Sequence, residues 1–230
     1  MKTVGIIGGL GPETTAEFYL KLIFSCYEKN KACRPPILTW SIPIDYQLEK
    51  DMITKGVGEK QCLSYLIDAA KRLENGGADF LVIPCNSVHI FIDEVRKTVK
   101  IPVLSIVEET TKFLTDKQIT EVGLLATATT IKKNLYQQPL ENKRIKVVLP
   151  QPEEQSIIVA LISNLVLGRK ADKDRQQLLE IIQKIKERGT KNIILACTDL
   201  QLLVPQNEQS NVYDTMEILV NATVREVLKD

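Results

Sequence analysis

Two cysteines occupy matching positions in the two halves of this 230-residue chain. Residues 77–86 are Gly-Ala-Asp-Phe-Leu-Val-Ile-Pro-Cys-Asn, and residues 189–198 are Gly-Thr-Lys-Asn-Ile-Ile-Leu-Ala-Cys-Thr. In both segments a cysteine, Cys85 or Cys197, stands eight positions after a glycine and ends an apolar run. For either cysteine alone, a buried core position is the more ordinary interpretation. The repeated context instead indicates a pair of thiols that meet at one site.

Two facing thiols can invert a stereocentre. One thiolate removes a proton from one face of a carbon atom, and the opposed thiol delivers a proton to the other face. The α-carbon of an amino acid suits such a pair, although its carbanion is poorly stabilised and most enzymes use an electron-sink cofactor. No cofactor site is apparent in the sequence. We therefore predict cofactor-independent transfer of the α-proton of an amino acid between Cys85 and Cys197.

This chemistry needs groups that stabilise a thiolate and hold the substrate. A free cysteine has a pKa near ~8.5, so the site has to favour the anion at neutral pH. Residues that cap helices follow both cysteines, and their free backbone N–H groups are expected to point toward sulfur or a bound carboxylate. The residues predicted to hold the substrate carboxylate and ammonium are Asn86, Ser87, Thr127, Thr130 and Thr198. For Thr127 and Thr130, a plain role as cap or turn residue stays open.

Strand and helix patterns alternate along the chain and place these residues at strand ends. Apolar runs predict strands at 3–7, 36–42, 80–83, 102–106, 122–125, 145–149 and 193–195. Amphipathic patterns predict helices at 13–28, 57–75, 91–99, 108–114, 131–141, 153–167, 173–188 and 215–228. This order predicts parallel sheets covered by helices.

An internal repeat extends the match between the two halves. Residues 4–9 (Val-Gly-Ile-Ile-Gly-Gly) have a counterpart 118 positions later, at 122–127 (Val-Gly-Leu-Leu-Ala-Thr). The predicted fold is therefore α/β, with two similar domains that each contain a parallel sheet flanked by helices. We assign residues 1–112 to the first domain and 113–212 to the second. Ligands of open parallel sheets bind beyond the carboxyl ends of the strands, so both cysteines are expected at the crevice between the domains.

Composition and charge narrow the classes of partner. With 44% hydrophobic residues, the chain can bury one large α/β core or two small ones. Its 30 basic and 29 acidic residues nearly cancel, and no basic run is interleaved with aromatics. Neither a nucleic-acid surface nor a membrane surface is therefore expected, and a small-molecule partner fits better.

The first residues and the cysteine count bear on location and metal binding. The glycine-broken apolar stretch at the start is too short for a signal peptide or a membrane span, so we expect a cytoplasmic protein. Five cysteines without a CxxC pair indicate neither a disulfide framework nor a zinc site. A single histidine, His89, leaves metal chemistry without its usual ligand.

At these residues the chain resembles the aspartate/glutamate racemase superfamily, in particular its aspartate racemase and broad-specificity amino-acid racemase branch. The resemblance runs nearly end to end. Its carriers are residues 8–15 (Gly-Gly-Leu-Gly-Pro-Glu-Thr-Thr), 84–89 (Pro-Cys-Asn-Ser-Val-His), 106–110 (Ile-Val-Glu-Glu-Thr), 125–131 (Leu-Ala-Thr-Ala-Thr-Thr-Ile) and 196–200 (Ala-Cys-Thr-Asp-Leu). The resemblance implies two α/β domains related by a pseudo-twofold, with the C-terminal helix at 213–230 returning to the first domain. It also implies the two cysteines as acid and base, no pyridoxal phosphate or metal, and commonly a homodimer.

The chain departs from this pattern where aspartate-specific members hold the distal carboxylate. Those members usually carry Ile-Pro-Asp-Arg after the second strand, whereas residues 42–46 here are Ile-Pro-Ile-Asp-Tyr. They also tend to have a lysine shortly before a glycine of the second domain, whereas residues 165–168 here are Leu-Val-Leu-Gly. Lys50, Arg169 and Lys170 stay open as substitutes for these two cations.

Two acidic residues favour a different substrate. Asp199 stands where aspartate-specific members more often have glutamate, and Asp45 lies near the missing arginine. An acidic lining would favour a neutral or cationic side chain. We therefore hypothesise that the substrate range extends beyond aspartate, to neutral or basic amino acids.

Other interpretations of the same residues stay open. A related two-cysteine isomerase or decarboxylase of small carboxylic acids, or a two-domain ligand-binding protein without catalysis, would share the predicted fold. The glycines at 8–11 fail the GxGxxG spacing of a dinucleotide site, and Pro12 interrupts them. We expect these glycines to let the backbone approach the substrate closely. His89, four residues after Cys85, could tune that thiol or serve in helix packing or capping.

Overall fold

Two parallel β-sheets form the centre of the molecule. The computed structural model describes residues 1–204 and 210–229. The strands in these ranges are β1 (Val4–Gly8), β2 (Ile37–Ser41), β3 (Phe80–Val82), β4 (Glu121–Ala126), β5 (Lys146–Val148), β6 (Ile193–Ala196) and β7 (Val212–Asp214). The first sheet has the order β2-β1-β3 and the second β5-β4-β6-β7, and all their pairings are parallel. In each half the first strand is flanked by the second and third, which agrees with the internal repeat.

Helices cover both sheets, so the predicted α/β class is confirmed. They are α1 (Pro12–Lys29), α2 (Tyr46–Lys55), α3 (Glu59–Asn75), α4 (Ile92–Arg96), α5 (Ile106–Asp116), α6 (Ala128–Lys132), α7 (Gln137–Glu141), α8 (Pro152–Val166), α9 (Asp172–Glu187) and α10 (Thr215–Val227). Two short 3₁₀ helices, Ser87–Phe91 and Leu200–Leu203, follow the two cysteines. No helix in the described part of the chain is long and apolar enough to cross a membrane.

The helix α2 is the main element that the sequence pattern does not predict. It begins at an N-cap, Asp45, whose carboxylate accepts hydrogen bonds from the backbone N–H groups of Gln47 (2.9 Å) and Leu48 (3.0 Å). It ends at Gly56, which adopts the left-handed conformation with a φ of 62°. The helix predicted over 57–75 therefore starts later, at Glu59, as a separate element.

Two strand predictions also differ from the structure. The strand predicted over 102–106 is wrong: Val103 forms one isolated bridge with Leu81, and Ser105 already caps α5. The strand β7 was not expected, because it is short and only partly buried. It extends the second sheet beside β6 and leads directly into α10.

A shared core connects the two halves of the chain. Ile6 of β1, Leu124 of β4 and Ile194 of β6 belong to one buried cluster, together with apolar residues of α10. The helix α10 packs against α1 and α5. Two further clusters lie on the other faces of the sheets. One lies between the first sheet and α3, and the other lies between the second sheet and helices α8 and α9. The assignment of residues 1–112 and 213–230 to one domain and 113–212 to another stays a prediction.

Candidate active site

Cys85 and Cys197 line the same cavity. Cys85 comes shortly after β3, and Cys197 follows β6 directly, so both thiols lie beyond the carboxyl ends of parallel strands. The cavity, which we call the inner cavity, has a volume of about 40 Å³. Apolar side chains such as Leu10, Met52 and Ile162 form much of its wall. The remaining wall is largely made of the polar residues that follow the two cysteines.

Hydrogen-bond donors surround the Cys85 thiol. Its sulfur lies 3.6 Å from Ser87 Oγ, and the backbone N–H of Val88 also points to it. These donors lower the pKa of Cys85, but burial raises it more strongly, and the result is about 12. Asp199 and Glu49 add smaller upward contributions to this pKa. Cys85 is therefore a neutral thiol in the unliganded protein.

The Cys197 thiol faces an acceptor instead. Its S–H donates to Oδ2 of Asp199 across 3.5 Å. Burial and the negative charge of Asp199 raise the pKa of Cys197 well above its usual value. Burial in turn raises the pKa of Asp199 to about 6. Both thiols are thus protonated at neutral pH before a substrate arrives.

The sequence predicts the opposite direction for these two pKa values. From the sequence, the helix starts after Cys85 and Cys197 are expected to favour thiolates. The structure contradicts this, because burial and nearby acids outweigh the N–H groups of the short 3₁₀ helices that follow the cysteines.

Asn86 is held in a buried hydrogen-bond network. Its Nδ2 donates to Thr215 Oγ1 at 3.1 Å, and its Oδ1 accepts from the hydroxyl of Tyr136. The Thr215 hydroxyl donates in turn to the carbonyl of Leu195 at 2.8 Å. The network ties the Cys85 loop to α10 and to the β6 strand that precedes Cys197. Tyr136, which is fully buried, carries no sequence signal that would have identified it.

The three threonines differ in their relation to the inner cavity. Thr198 lines it, and its hydroxyl donates to the carbonyl of Pro84 at 3.4 Å, which joins the two cysteine loops. Thr127 also lines it and caps α6 by accepting from the backbone N–H of Thr130 at 3.2 Å. Thr130 is fully buried and lies behind Thr127, outside the lining. Of the three threonines, only Thr127 and Thr198 therefore face the inner cavity.

His89 positions the Cys85 loop from behind. Its Nδ1–H donates to the carbonyl of Cys85 at 2.7 Å, and its Nε2 accepts from the backbone N–H of Ile106 at 3.2 Å. Burial lowers the pKa of His89 to about 4, so the imidazole is neutral near pH 7. The ring therefore links the Cys85 loop to the first turn of α5. It does not touch the sulfur, and of the two roles left open by the sequence, packing and capping is the one observed.

The acidic lining differs in part from the one predicted. Asp199 is buried and lines the inner cavity, as expected. Asp45 does not line it, because its carboxylate is the exposed N-cap of α2. In its place Glu49, one turn further along α2, lines the cavity. Glu49 is not predictable from the sequence pattern, because the helix that carries it is not.

Two wider spaces adjoin the inner cavity. The outer cleft, about 530 Å³ in volume, lies along Gly9, residues 41–44 and Leu167. The side cleft, about 250 Å³, lies between Lys50 on α2 and Ser163 on α8. These clefts give a substrate side chain room that the inner cavity lacks.

The glycine loop, residues 8–11, forms part of the wall of the outer cleft through Gly9. Gly9 has a φ of +84°, and a Cβ there would lie 2.6 Å from the backbone nitrogen of Ile42. The close approach is thus between the loop and the end of β2. Gly9 therefore meets a packing requirement, and the expectation that these glycines let the backbone approach the substrate closely stays a prediction.

None of the candidate distal cations lines the inner cavity, although Lys170 is near enough to Asp199 to lower the pKa of that carboxyl. Lys170 forms an ion pair with Glu13, and Arg169 does not line any of the three spaces. Lys50 lines the side cleft but neither the inner cavity nor the outer cleft. None of the three is thus positioned at the inner cavity to bind the side-chain carboxylate of aspartate.

Comparison with known proteins gives a consistent result. The model of the family described as Asp/Glu/Hydantoin racemase matches residues 7–223. The broad specificity amino-acid racemase RacX of Bacillus subtilis is 27% identical over 229 residues, which is 96% of each chain. A solved aspartate racemase homologue from Pyrococcus horikoshii is 30% identical, with a TM-score of 0.81 and complete coverage of both chains. The aspartate racemase of Picrophilus torridus has the same fold, with a TM-score of 0.83 at 24% identity, over 100% of this chain and 96% of its own.

Proposed function

Because this chain belongs to the Asp/Glu/hydantoin racemase family, we propose that it is a cofactor-independent amino-acid racemase in which Cys85 and Cys197 are the two acid/base groups. The observation that carries the proposal is the convergence of these two thiols, from equivalent loops of the two halves, on one buried cavity. A substrate α-carbon held there would have one sulfur on each face.

The proton movements follow from the charges around each sulfur. The ammonium of the bound amino acid lowers the pKa of the nearby thiols, and Asp199 can take the proton of Cys197 along their existing hydrogen bond. One thiolate then removes the α-proton, and the electron pair of the C–H bond moves into the carboxylate as an enediolate. The opposite thiol donates its proton to the other face of the carbon. The product is the mirror-image amino acid, and the two sulfurs have exchanged protonation states.

The residues after the cysteines are suited to the substrate carboxylate. Ser87 and the Val88 N–H lie beside Cys85, and Thr127 and Thr198 face the cavity from the second half. Donors of this kind stabilise the charge that builds up on the carboxylate oxygens in the transition state. Asn86 contributes through its fixed orientation, because its amide is already engaged by Tyr136 and Thr215.

A broad substrate range fits this site better than strict selection of aspartate. The described residues that line the inner cavity include no lysine, arginine or histidine. The apolar side chains of Ile44, Met52 and Val166 instead face the path of a substrate side chain. We therefore propose that neutral and basic amino acids are substrates.

The first prediction tests the two-thiol mechanism. In deuterated water, the wild-type protein is expected to exchange the α-proton of L- and D-amino acids and to invert them, as measured by NMR and chiral chromatography. Cys85→Ala and Cys197→Ala should each lower the inversion rate by about 100-fold or more, because each removes an acid/base group. Cys33→Ala is the matched control, since Cys33 is an exposed free cysteine.

The same experiment separates the alternatives. Inversion that survives in either active-site variant would refute the mechanism. Release of carbon dioxide would indicate a decarboxylase, and a change in alkene absorbance with a dicarboxylate would indicate an isomerase of carboxylic acids. Saturable binding without exchange of the α-proton would indicate a binding protein. Circular dichroism of each variant verifies that it is folded.

We also propose that the functional unit is a homodimer formed through the outer face of α1. Large apolar side chains lie on this face at helical spacing and are exposed to solvent: Tyr19 (41%), Leu20 (51%), Phe24 (63%) and Tyr27 (58%). Contiguous exposed apolar residues of this kind mark interaction sites. The resemblance to homodimeric racemases supports a second copy of the chain as the occupant.

A further inference from the structure

Glu49 stands where the three spaces of the active site meet. Among the described residues, only Glu49 and Val166 line the inner cavity, the outer cleft and the side cleft together. A substrate with its α-carbon between Cys85 and Cys197 has to extend its side chain into one of the two clefts. Either path passes Glu49.

The carboxylate of Glu49 has no counter-charge among the described residues. In the described part of the chain it makes no hydrogen bond or ion pair, although it is partly buried. The basic residue next along the chain, Lys50, is exposed, and the acid on the same helix, Asp51, is paired with Lys55 at 2.9 Å. Burial, and secondly the charge of Asp199, raise the pKa of Glu49 to about 7. An approaching cation would relieve this unfavourable environment.

We propose that Glu49 is a specificity-determining residue that selects substrates whose side chain ends in a cation. The class consists of amino acids with a distal ammonium or guanidinium group, such as lysine, ornithine and arginine. The inference rests on the proposed racemase function, since it assumes an α-carbon placed between the two thiols. The cation would form a charge-assisted hydrogen bond with the Glu49 carboxylate.

The alternative substrate classes fit this position less well. A distal carboxylate would meet Glu49 and Asp199, and among the described lining residues of the three spaces only Lys50, at the side cleft, is cationic. Like charges repel each other, so the side-chain carboxylates of aspartate and glutamate are disfavoured here. A neutral chain can contact Met52, Ile53 and Val166, but it leaves the Glu49 carboxylate without a partner.

The test compares substrates of similar shape that differ in charge. L-Lysine is paired with L-norleucine, and L-arginine with L-citrulline, and kcat/KM is measured by α-proton exchange. Wild type is expected to favour the cationic member of each pair. In Glu49→Gln, which keeps the side-chain size, the lysine-to-norleucine ratio of kcat/KM should fall about tenfold or more. Asp51→Asn, a charge removal on the same helix outside the cavities, should leave the ratio as in wild type.

Several outcomes would overturn the inference. They are a wild-type preference for norleucine or glutamate over lysine, an unchanged ratio in Glu49→Gln, or an equal fall in Asp51→Asn. Absence of exchange with every amino acid would refute the proposed function instead. In that case calorimetric binding of lysine and norleucine to wild type and Glu49→Gln decides the inference, because selective binding does not require turnover.

Discussion

The two thiols have unlike surroundings despite their matching sequence contexts. Cys85 faces the donors Ser87 and Val88 N–H, whereas the Cys197 S–H donates to Asp199. The first arrangement stabilises a thiolate, and the second offers the thiol proton a nearby acceptor. In the proposed mechanism, the two sulfurs would therefore lose their protons by different routes. The difference between the two thiols arises from residues that differ between the two halves, such as Ser87 after Cys85 and Asp199 after Cys197.

His89 provides a prediction of pH dependence at the residue scale. Its pKa is lowered to about 4 by burial, against ~6.5 for an unfolded histidine, so the unfolded chain binds the proton first as the pH falls. The stability contributed by neutral His89 is thus complete above pH ~6.5 and is lost as the pH falls toward 4, by roughly 3 kcal/mol in total. Arg96 lowers this pKa further and Glu108 raises it, with both effects smaller than that of burial.

The measurement uses the fact that His89 is the only histidine of the chain. Its imidazole Cε1–H resonance should titrate near pH 4 by NMR. Urea unfolding of wild type and His89→Gln at pH 7 and pH 5 gives the difference that belongs to His89, because Glu49, Asp199 and Asp214 titrate in both proteins. A midpoint near 6.5, or an equal pH dependence in the two proteins, would contradict the prediction.

At this scale the sequence locates the thiols but not all of the residues around them. Cys85 and Cys197 are predictable because a strand end followed by capping residues recurs in both halves. Tyr136 and Glu49 are not, since each reaches the site from an element remote in sequence. Thr130 carries the same chemistry as Thr127, and only the three-dimensional structure separates the residue that faces the cavity from the one behind it.

At the scale of elements, the alternating strands and long helices are predictable from apolar periodicity, and the short elements are not. The helix α2 has few apolar positions, chiefly Leu48, Met52 and Ile53, between many polar ones. The apolar run at 102–106 resembles a strand, but Ser105 with Glu108 three residues later is a helix start, and that local signal prevails. β7 is too short for any period to show.

The helix α2 leads to a prediction about its cap. Asp45→Ala removes the acceptor for the N–H groups of Gln47 and Leu48 and should lower the free energy of unfolding by about 1 kcal/mol. Because α2 carries Glu49, a looser first turn should also raise KM for a cationic substrate. Urea unfolding and exchange kinetics measure the two effects.

The matched control for this prediction is Asp45→Asn. Asparagine is as good an N-cap as aspartate, so it should keep most of the stability while removing the charge. Equal losses in the alanine and asparagine variants would show that the charge of Asp45, and not its capping, is what matters.

At the scale of the whole molecule, the two halves are joined at the site itself. Thr198 bonds to Pro84 across the two cysteine loops, and the Asn86 network reaches α10. The inner cavity lies beside these two loops and adjoins the wider outer and side clefts, so the same contacts that join the halves also shape the site.

The last prediction concerns the outer face of α1. Its apolar stripe is exposed to solvent in a monomer and would be buried in a dimer. In a two-fold dimer the stripe would meet its own copy, and Phe24, the most exposed of its four large side chains, would be buried. Phe24→Asp places a charge in that contact and should weaken dimerisation at least about tenfold. Sedimentation velocity across a concentration series measures the dissociation constant. Tyr65→Asp, an exposed aromatic on α3, is the control and should dimerise as wild type does. A wild-type chain that stays monomeric at all concentrations, or a Phe24→Asp variant that dimerises normally, would show that this face does not pair with itself.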